Sequence, residues 1–197
     1  MTKAASAPIP SMEDFTWTVD QYHQLIGAGI ITPNHRVELL DGAIIKKMGI
    51  NEPHSACVDG LHEFFYDKYG KKYTLRSENP VILDDRSEPE PDFAICVRRD
   101  DRYINGHPTV SQLHLIIEVA DSTVDKDRHY KGPLYARAGI VEYWIINLDN
   151  RQVEVHLQPL GSVRMYRSIT TYLPGETFDS PFNGPTSVNE LLPFSQS

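Results

Sequence analysis

The residue that most restricts the folds open to this chain is a glutamate inside an apolar run. Leu113-His114-Leu115-Ile116-Ile117-Glu118-Val119-Ala120 has the length and composition of a strand covered on both faces, with Glu118 near its end. Acids are disfavoured in strand interiors, and an unpaired buried carboxylate is costly, so something must compensate for Glu118. Upstream, Pro91-Asp92-Phe93-Ala94-Ile95-Cys96-Val97 places a second carboxylate at the mouth of another apolar strand. A divalent cation shared by Asp92 and Glu118, with the Val119 carbonyl as a third oxygen ligand, is one compensation, and it would also bring chemistry. An arginine partner for Glu118, or an exposed strand end, is the other. Spacing alone leaves both open.

A chain of 197 residues, 40% hydrophobic and 23% charged, is enough for one domain with a sizeable core. Residues 1–14 hold two prolines and small residues, and read as a flexible leader ahead of a single domain over 15–197. That leader has no continuous apolar stretch of signal-peptide type, and no apolar run is long enough to cross a bilayer. Cys57 and Cys96 both lie in apolar patterns, as buried thiols of a reducing cytoplasm would, and no Cys-x-x-Cys pair suggests a zinc site. The net charge of −8 argues against a broad non-specific grip on nucleic acid. Lys68, Lys71 and Lys72, and Arg98, Arg99 and Arg102, form two small basic clusters that read first as solvated helix and strand ends.

Thr18-Val19-Asp20-Gln21 is a capping box, followed by an apolar stripe through Val19, Tyr22, Leu25 and Ile26 and a stop at Gly27 and Gly29. Asp41-Gly42 between two apolar runs is the strongest hairpin signal in the chain. Asn51 and Pro53 open a second helix, with a face through Val58, Leu61, Phe64, Phe65 and Tyr69, stopped by Gly70. Strands are expected at Tyr73–Leu75, Val81–Leu83, after Asp92, through Glu118, at Glu142–Asn147, at Gln152–His156 and around Ser168–Tyr172. A third helix lies within Asp125–Ala138 and ends at Gly139. This order predicts an α/β (α+β) domain with a mixed sheet flanked by helices.

Phosphodiester cleavage needs a hard cation, an activated water and positive charge near the attacked phosphate. Asp92 and Glu118 suit the cation. A lysine two residues after the glutamate is the compact arrangement, but that position is Ala120. Lys131 is the substitute: Asp127, Lys131 and Tyr135 recur at i, i+4 and i+8 and share a helical face. An ordinary Asp127–Lys131 surface pair explains the same spacing, and Gly132-Pro133 kinks the helix or opens it there. Glu38 alternates with apolar neighbours, as on an exposed strand face, and His54 stands at a helix start.

The ordered set Glu38-Leu39-Leu40-Asp41-Gly42, Pro53-His54, Pro91-Asp92, Ile117-Glu118-Val119 with Ser122-Thr123, then Asp127, Lys131, Tyr135, Ala138-Gly139-Ile140 and Glu142-Tyr143-Trp144-Ile145 resembles the Uma-two family of restriction-type endonucleases, in the PD-(D/E)XK nuclease superfamily. The resemblance covers residues 36–156. It implies a restriction-endonuclease-like core and Mg²⁺-dependent hydrolysis of nucleic acid, DNA first, with Mn²⁺ as a substitute. It gives Asp92 and Glu118 the metal, Lys131 the place of the displaced lysine, Glu38 that of the upstream acid and His54 that of the histidine near the site. Two departures stand out: Glu118-Val119-Ala120-Asp121-Ser122 in place of a hydrophobic-Ser-Pro stretch, and the inserted Gly132-Pro133. Double-strand cutting by a single-site domain would call for a homodimer. The rivals are a nuclease-fold binding or regulatory module without turnover, and a metal-dependent hydrolase of a small phosphorylated compound.

Overall fold

The computed structural model describes residues 15–121 and 124–193. The expected leader and the Ser122-Thr123 pair lie outside the described residues. Helix α1, Val19–Gly27, carries the capping box expected of it: the Thr18 side chain accepts from the Gln21 amide while Gln21 reaches back to the Thr18 amide. Strands β1, Val37–Leu40, and β2, Ala43–Lys46, close the expected hairpin, and Asp41 and Gly42 both take positive φ, 49° and 83°, as a primed two-residue turn requires. Helix α2, Glu52–Tyr69, begins at an Asn51 cap and stops at Gly70.

The main sheet has six strands in chain order: β3 (Tyr73–Ser77), β4 (Phe93–Val97), β5 (Leu113–Ala120), β6 (Glu142–Asn147), β7 (Gln152–Leu160) and β8 (Met165–Tyr172). Only β5 and β6 run parallel, and the helical segment between them supplies the crossover. The sheet is mixed and flanked by helices, as expected. Period two on β5 sorts its side chains. Leu115, Ile117 and Val119 join the core under α2, with Phe65, Phe93 and Trp144. Ile116 and Ala120 face the other layer, with Leu134 and Tyr135. Glu118 shares that second face.

The crossover is one continuous helical path in three geometries: α3, Val124–Lys126; a π-turn, Asp127–Lys131; and α4, Gly132–Ala138, capped by Gly139. Proline at the second position of α4 has no amide to offer, and the wider π-turn, closed by the Gly132 amide on the Asp127 carbonyl, absorbs it without breaking the path. Both cysteines are free and buried.

One expectation needs correction. Val81–Leu83 is not a strand. Val81 is buried, but the segment makes only isolated bridges, Ile82 with Thr109 and Asp84 with Ser87, because prolines 80, 89 and 91 deprive the stretch of ladder donors. Beyond β8, where the sequence pattern names no element, the chain forms a hairpin of β9, Thr177–Ser180, with β10, Gly184–Ser187, and a short helix α5, Val188–Leu191, that packs on α2.

Candidate active site

The carboxyl end of β5, the residue before β4, the segment between β2 and α2, the start of α2 and the π-turn meet around a cavity of about 110 Å³, room for a cation and a few waters. Asp92, Glu118, Val119, His54, Asp127 and Lys131 are among its walls.

The two opening acids are cross-linked through each other's backbones. The Val119 amide donates to Asp92 Oδ2 at 2.7 Å, and the Asp92 amide approaches Glu118 Oε2 at 3.4 Å. Glu118 Oε1 accepts from the Lys131 ammonium at 2.9 Å and from the Tyr135 hydroxyl at 2.6 Å. Lys131 also lies 3.5 Å from Glu38 Oε2, and is 6% exposed. It is therefore neither a surface partner of Asp127 nor lost to the turn before a proline-opened helix. The π-turn aims it at the cavity.

Glu38 does not sit on an exposed strand face. It is 1% exposed, accepts from Lys126 Nζ at 2.8 Å and from the Glu90 amide at 3.1 Å. The hairpin lies with β1 inward, and its Leu39 bridges Glu88. His54, in the first turn of α2, points Nε2 at Asp92 Oδ1, 3.4 Å away, and at Glu78 Oε1, 3.9 Å away. All five sequence-derived side chains thus converge.

Glu78, Lys126 and Asp127 complete the group without having been read as site residues. Glu78 carried one readable signal only after folding: a non-glycine residue at φ 52°, tied through its amide to the Asp92 carbonyl. Lys126 lies one helical turn before Lys131, and its second-lysine role becomes visible only once β1 is placed beside the crossover.

Electrostatics set these groups apart. Burial raises Glu38, but Lys131 and Lys126 outweigh it and hold the carboxyl below its ordinary value. Asp92 is likewise held low, by His54, Lys131 and the Val119 amide against burial. Glu118 goes the other way. Burial raises it, Lys131 draws it back, and the Asp92 and Asp127 charges push it well above the usual carboxylate range. Asp127 rises to about 6, mainly through burial. The Asp92 carboxylate raises His54.

This donor set fits a divalent cation. Five acids line the cavity, Glu78, Asp92, Glu118, Asp121 and Asp127, against three lysines, Lys47, Lys126 and Lys131, of which Lys47 is paired with Glu90. His54 Nε2 is buried without a hydrogen bond, and its nitrogen lies with oxygens of Asp92 and Glu78 inside a 4.8 Å span. An orphaned imidazole nitrogen between carboxylates is what a cation would satisfy.

No curated protein matches the sequence. A solved protein of Anabaena variabilis ATCC 29413, described as "a putative nuclease belonging to DUF820", shares the fold with a TM-score of 0.66 at 18% identity, over 88% of this chain and 96% of that one. The model of the Uma2 family, described as "Putative restriction endonuclease", matches residues 19–185. That is most of the chain, which belongs to the Uma2 family.

Proposed function

We propose that this protein is a divalent-metal-dependent endonuclease that hydrolyses phosphodiester bonds of nucleic acid, DNA first. The observation carrying this is the charge imbalance around the cavity: five acids and three lysines line a space of cation size. Asp92 and Glu118 would hold the ion, with the Val119 carbonyl near them and His54 and Glu78 beside Asp92. A histidine in the set suits Mn²⁺ better than Mg²⁺, although both accept the carboxylates. A bound divalent ion supplies Lewis-acid charge at the phosphate and eases deprotonation of a water.

The protein's own groups do the rest. Glu118 and Glu38 each take one contact from Lys131 and fix its ammonium at the cavity wall, with an N–H left to meet a phosphate oxygen as charge builds there. Lys126 neutralises Glu38 from its far side, which keeps Lys131 from being drawn wholly away from Glu118. His54 Nε2, 3.4 Å from Asp92 Oδ1, is placed to complete the ion's ligand set. For a polyanionic substrate, Lys71, Arg98 and Arg102, from the two separate basic clusters, line a single cleft of about 320 Å³ along β3 with Tyr66 and Tyr73.

Cleavage of plasmid DNA, RNA and oligonucleotides in Mg²⁺ or Mn²⁺ tests the reading. The expected result is metal-dependent cleavage that Asp92→Ala abolishes in a folded protein. Full activity in that variant removes the site assignment. Metal binding by calorimetry without cleavage of any nucleic acid would make the protein a binding module.

A further inference from the structure

We infer that the protein carries a second cation site, built by His23, Glu88 and His107, that takes a borderline transition ion of the Zn²⁺ class. This inference is independent of the nuclease reading. The three residues come from three segments: His23 from α1, Glu88 from the stretch that bridges β1, and His107 from the loop before β5. Their ligand atoms lie within 4.8 Å of one another. His23 Nε2 stands 2.8 and 3.0 Å from the two Glu88 oxygens. Ligand atoms around tetrahedral zinc, at about 2.0–2.1 Å from the metal, are separated by about 3.3 Å, so a small opening of this pair admits the ion.

Two observations favour a ligand set over an ordinary His–Glu ion pair. The first is His107. Its Nδ1 is buried and has no hydrogen-bond partner, and its ring stands at 69° to that of His23, so the two imidazoles converge and do not stack. A histidine serving only as a neighbour of an ion pair would not keep an orphaned buried nitrogen beside it. The second is Glu88, which is 3% exposed yet has a side chain partnered among the described residues by His23 alone, and that imidazole is 44% exposed. Two imidazoles and one carboxylate, with a fourth position open to water, form a recognised zinc donor set.

The site has a structural consequence. The Glu88 amide donates to the Leu39 carbonyl at 2.8 Å, next to Glu38. An ion held here would clamp α1 and the His107 loop to the strand that carries Glu38.

The test is calorimetric titration of the tag-free, EDTA-stripped full chain with Zn²⁺, alongside thermal unfolding with and without Zn²⁺. The wild type is expected to bind one Zn²⁺ that Asp92→Ala does not remove, and to unfold at higher temperature in its presence. Both His23→Gln and His107→Gln should lower the stoichiometry by one, or weaken that step about 100-fold, and cancel the Zn²⁺-dependent rise. His23 is an exposed helical position, so its variant tests the site without threatening the fold. With Co²⁺ as probe, the wild type should show the intense visible bands of a low-coordinate ion, and both variants should lose them. If both histidine variants, folded by circular dichroism, match the wild type in stoichiometry and affinity, or if the wild type binds no Zn²⁺ that survives Asp92→Ala, the site does not exist.

Discussion

Glu118 and Glu154 occupy the same row of the same sheet, and they behave as opposites. Glu118 on β5 stands opposite Ile145 on β6, and Ile145 stands opposite Glu154 on β7, so both glutamates project from the α4 face. Both are nearly inaccessible, at 1% and 3% exposure. Arg128 grips Glu154 through Nε and its terminal nitrogen, and His156 lies beside it. Burial pushes the Glu154 carboxyl up, but His156 and Arg128 outweigh it and hold it at about 2. Glu118 has Lys131 and Tyr135, yet Asp92 and Asp127 crowd it and its carboxyl stays well above the ordinary range. A glutamate retained for structure looks like Glu154: charge matched, oxygens filled. Glu118 is short of positive charge, and the shortage faces a cavity.

The largest expected effect separates the two by function. Glu118→Gln should reduce metal-dependent cleavage by about 10³-fold or more, because it removes a charged ligand and the main partner of Lys131. Its stability in urea should stay within about 1 kcal/mol of wild type, since it also relieves repulsion with Asp92 and Asp127. Glu154→Gln should do the reverse, keeping the cleavage rate while costing about 1.5–3 kcal/mol through the weakened Arg128 fork. If the two variants exchanged phenotypes, the comparison would be wrong.

Next in size is Lys131→Met. It leaves Glu38 with Lys126 and Glu118 without an ammonium, and breaking a buried pair of this kind costs about 3–5 kcal/mol. A cation can stand in for a lost ammonium. Urea midpoints of this variant should therefore rise with added Mn²⁺ more steeply than those of wild type. Equal responses would mean that the cavity does not take the ion.

The comparison also explains which parts of the molecule could be read from the sequence. Local signals held: the capping box at Thr18, the primed turn at Asp41-Gly42, the Asn51 cap and the strand through Glu118 each rest on residues close in the chain. The convergence of Asp92, Glu118 and Lys131 was also legible, because strand period and helix period fix which way neighbours point. For Glu38 the pattern alone suggested an exposed face and only the family resemblance pointed to the site, because hairpin alternation says which residues share a face and not which face turns inward. The π-turn that accommodates Pro133 has no separate pattern in the residues. Glu78, His23, Glu88 and His107 gain meaning only from long-range packing, and no spacing along the chain announces it.

A smaller effect appears in pH. Glu154 titrates at about 2 in the folded state, below the ordinary 4.5, so its ionised form adds stability above that ordinary value. The contribution is lost as pH falls through the interval between the two. It amounts to about 1–3 kcal/mol. Wild type should therefore lose more stability between pH 5 and pH 2 than Glu154→Gln does, by that difference, in urea titrations at each pH. Glu118 has the opposite sign: its folded carboxyl is raised, so it favours the folded state below its unfolded value and loses that advantage as pH rises. Glu118→Gln should accordingly flatten the alkaline side of the stability profile and leave the acid side as in wild type.

The smallest effect isolates a single hydrogen bond. Tyr135 is fully buried and donates to Glu118 Oε1, the same oxygen that Lys131 reaches. In Tyr135→Phe that oxygen keeps the ammonium, so it is not orphaned, and the cost should be about 1 kcal/mol and not the larger penalty of an unsatisfied buried acceptor. Activity should fall only a few-fold, because the carboxylate remains charged and Lys131 remains placed. Had Glu118 been a structural group like Glu154, its donors would share the work of holding it, and losing one should then show in stability while cleavage stayed untouched. A cleavage loss as large as that of Glu118→Gln would instead mean that Tyr135 sets the carboxylate's position. Kinetics and urea unfolding measured on this one variant distinguish the three outcomes.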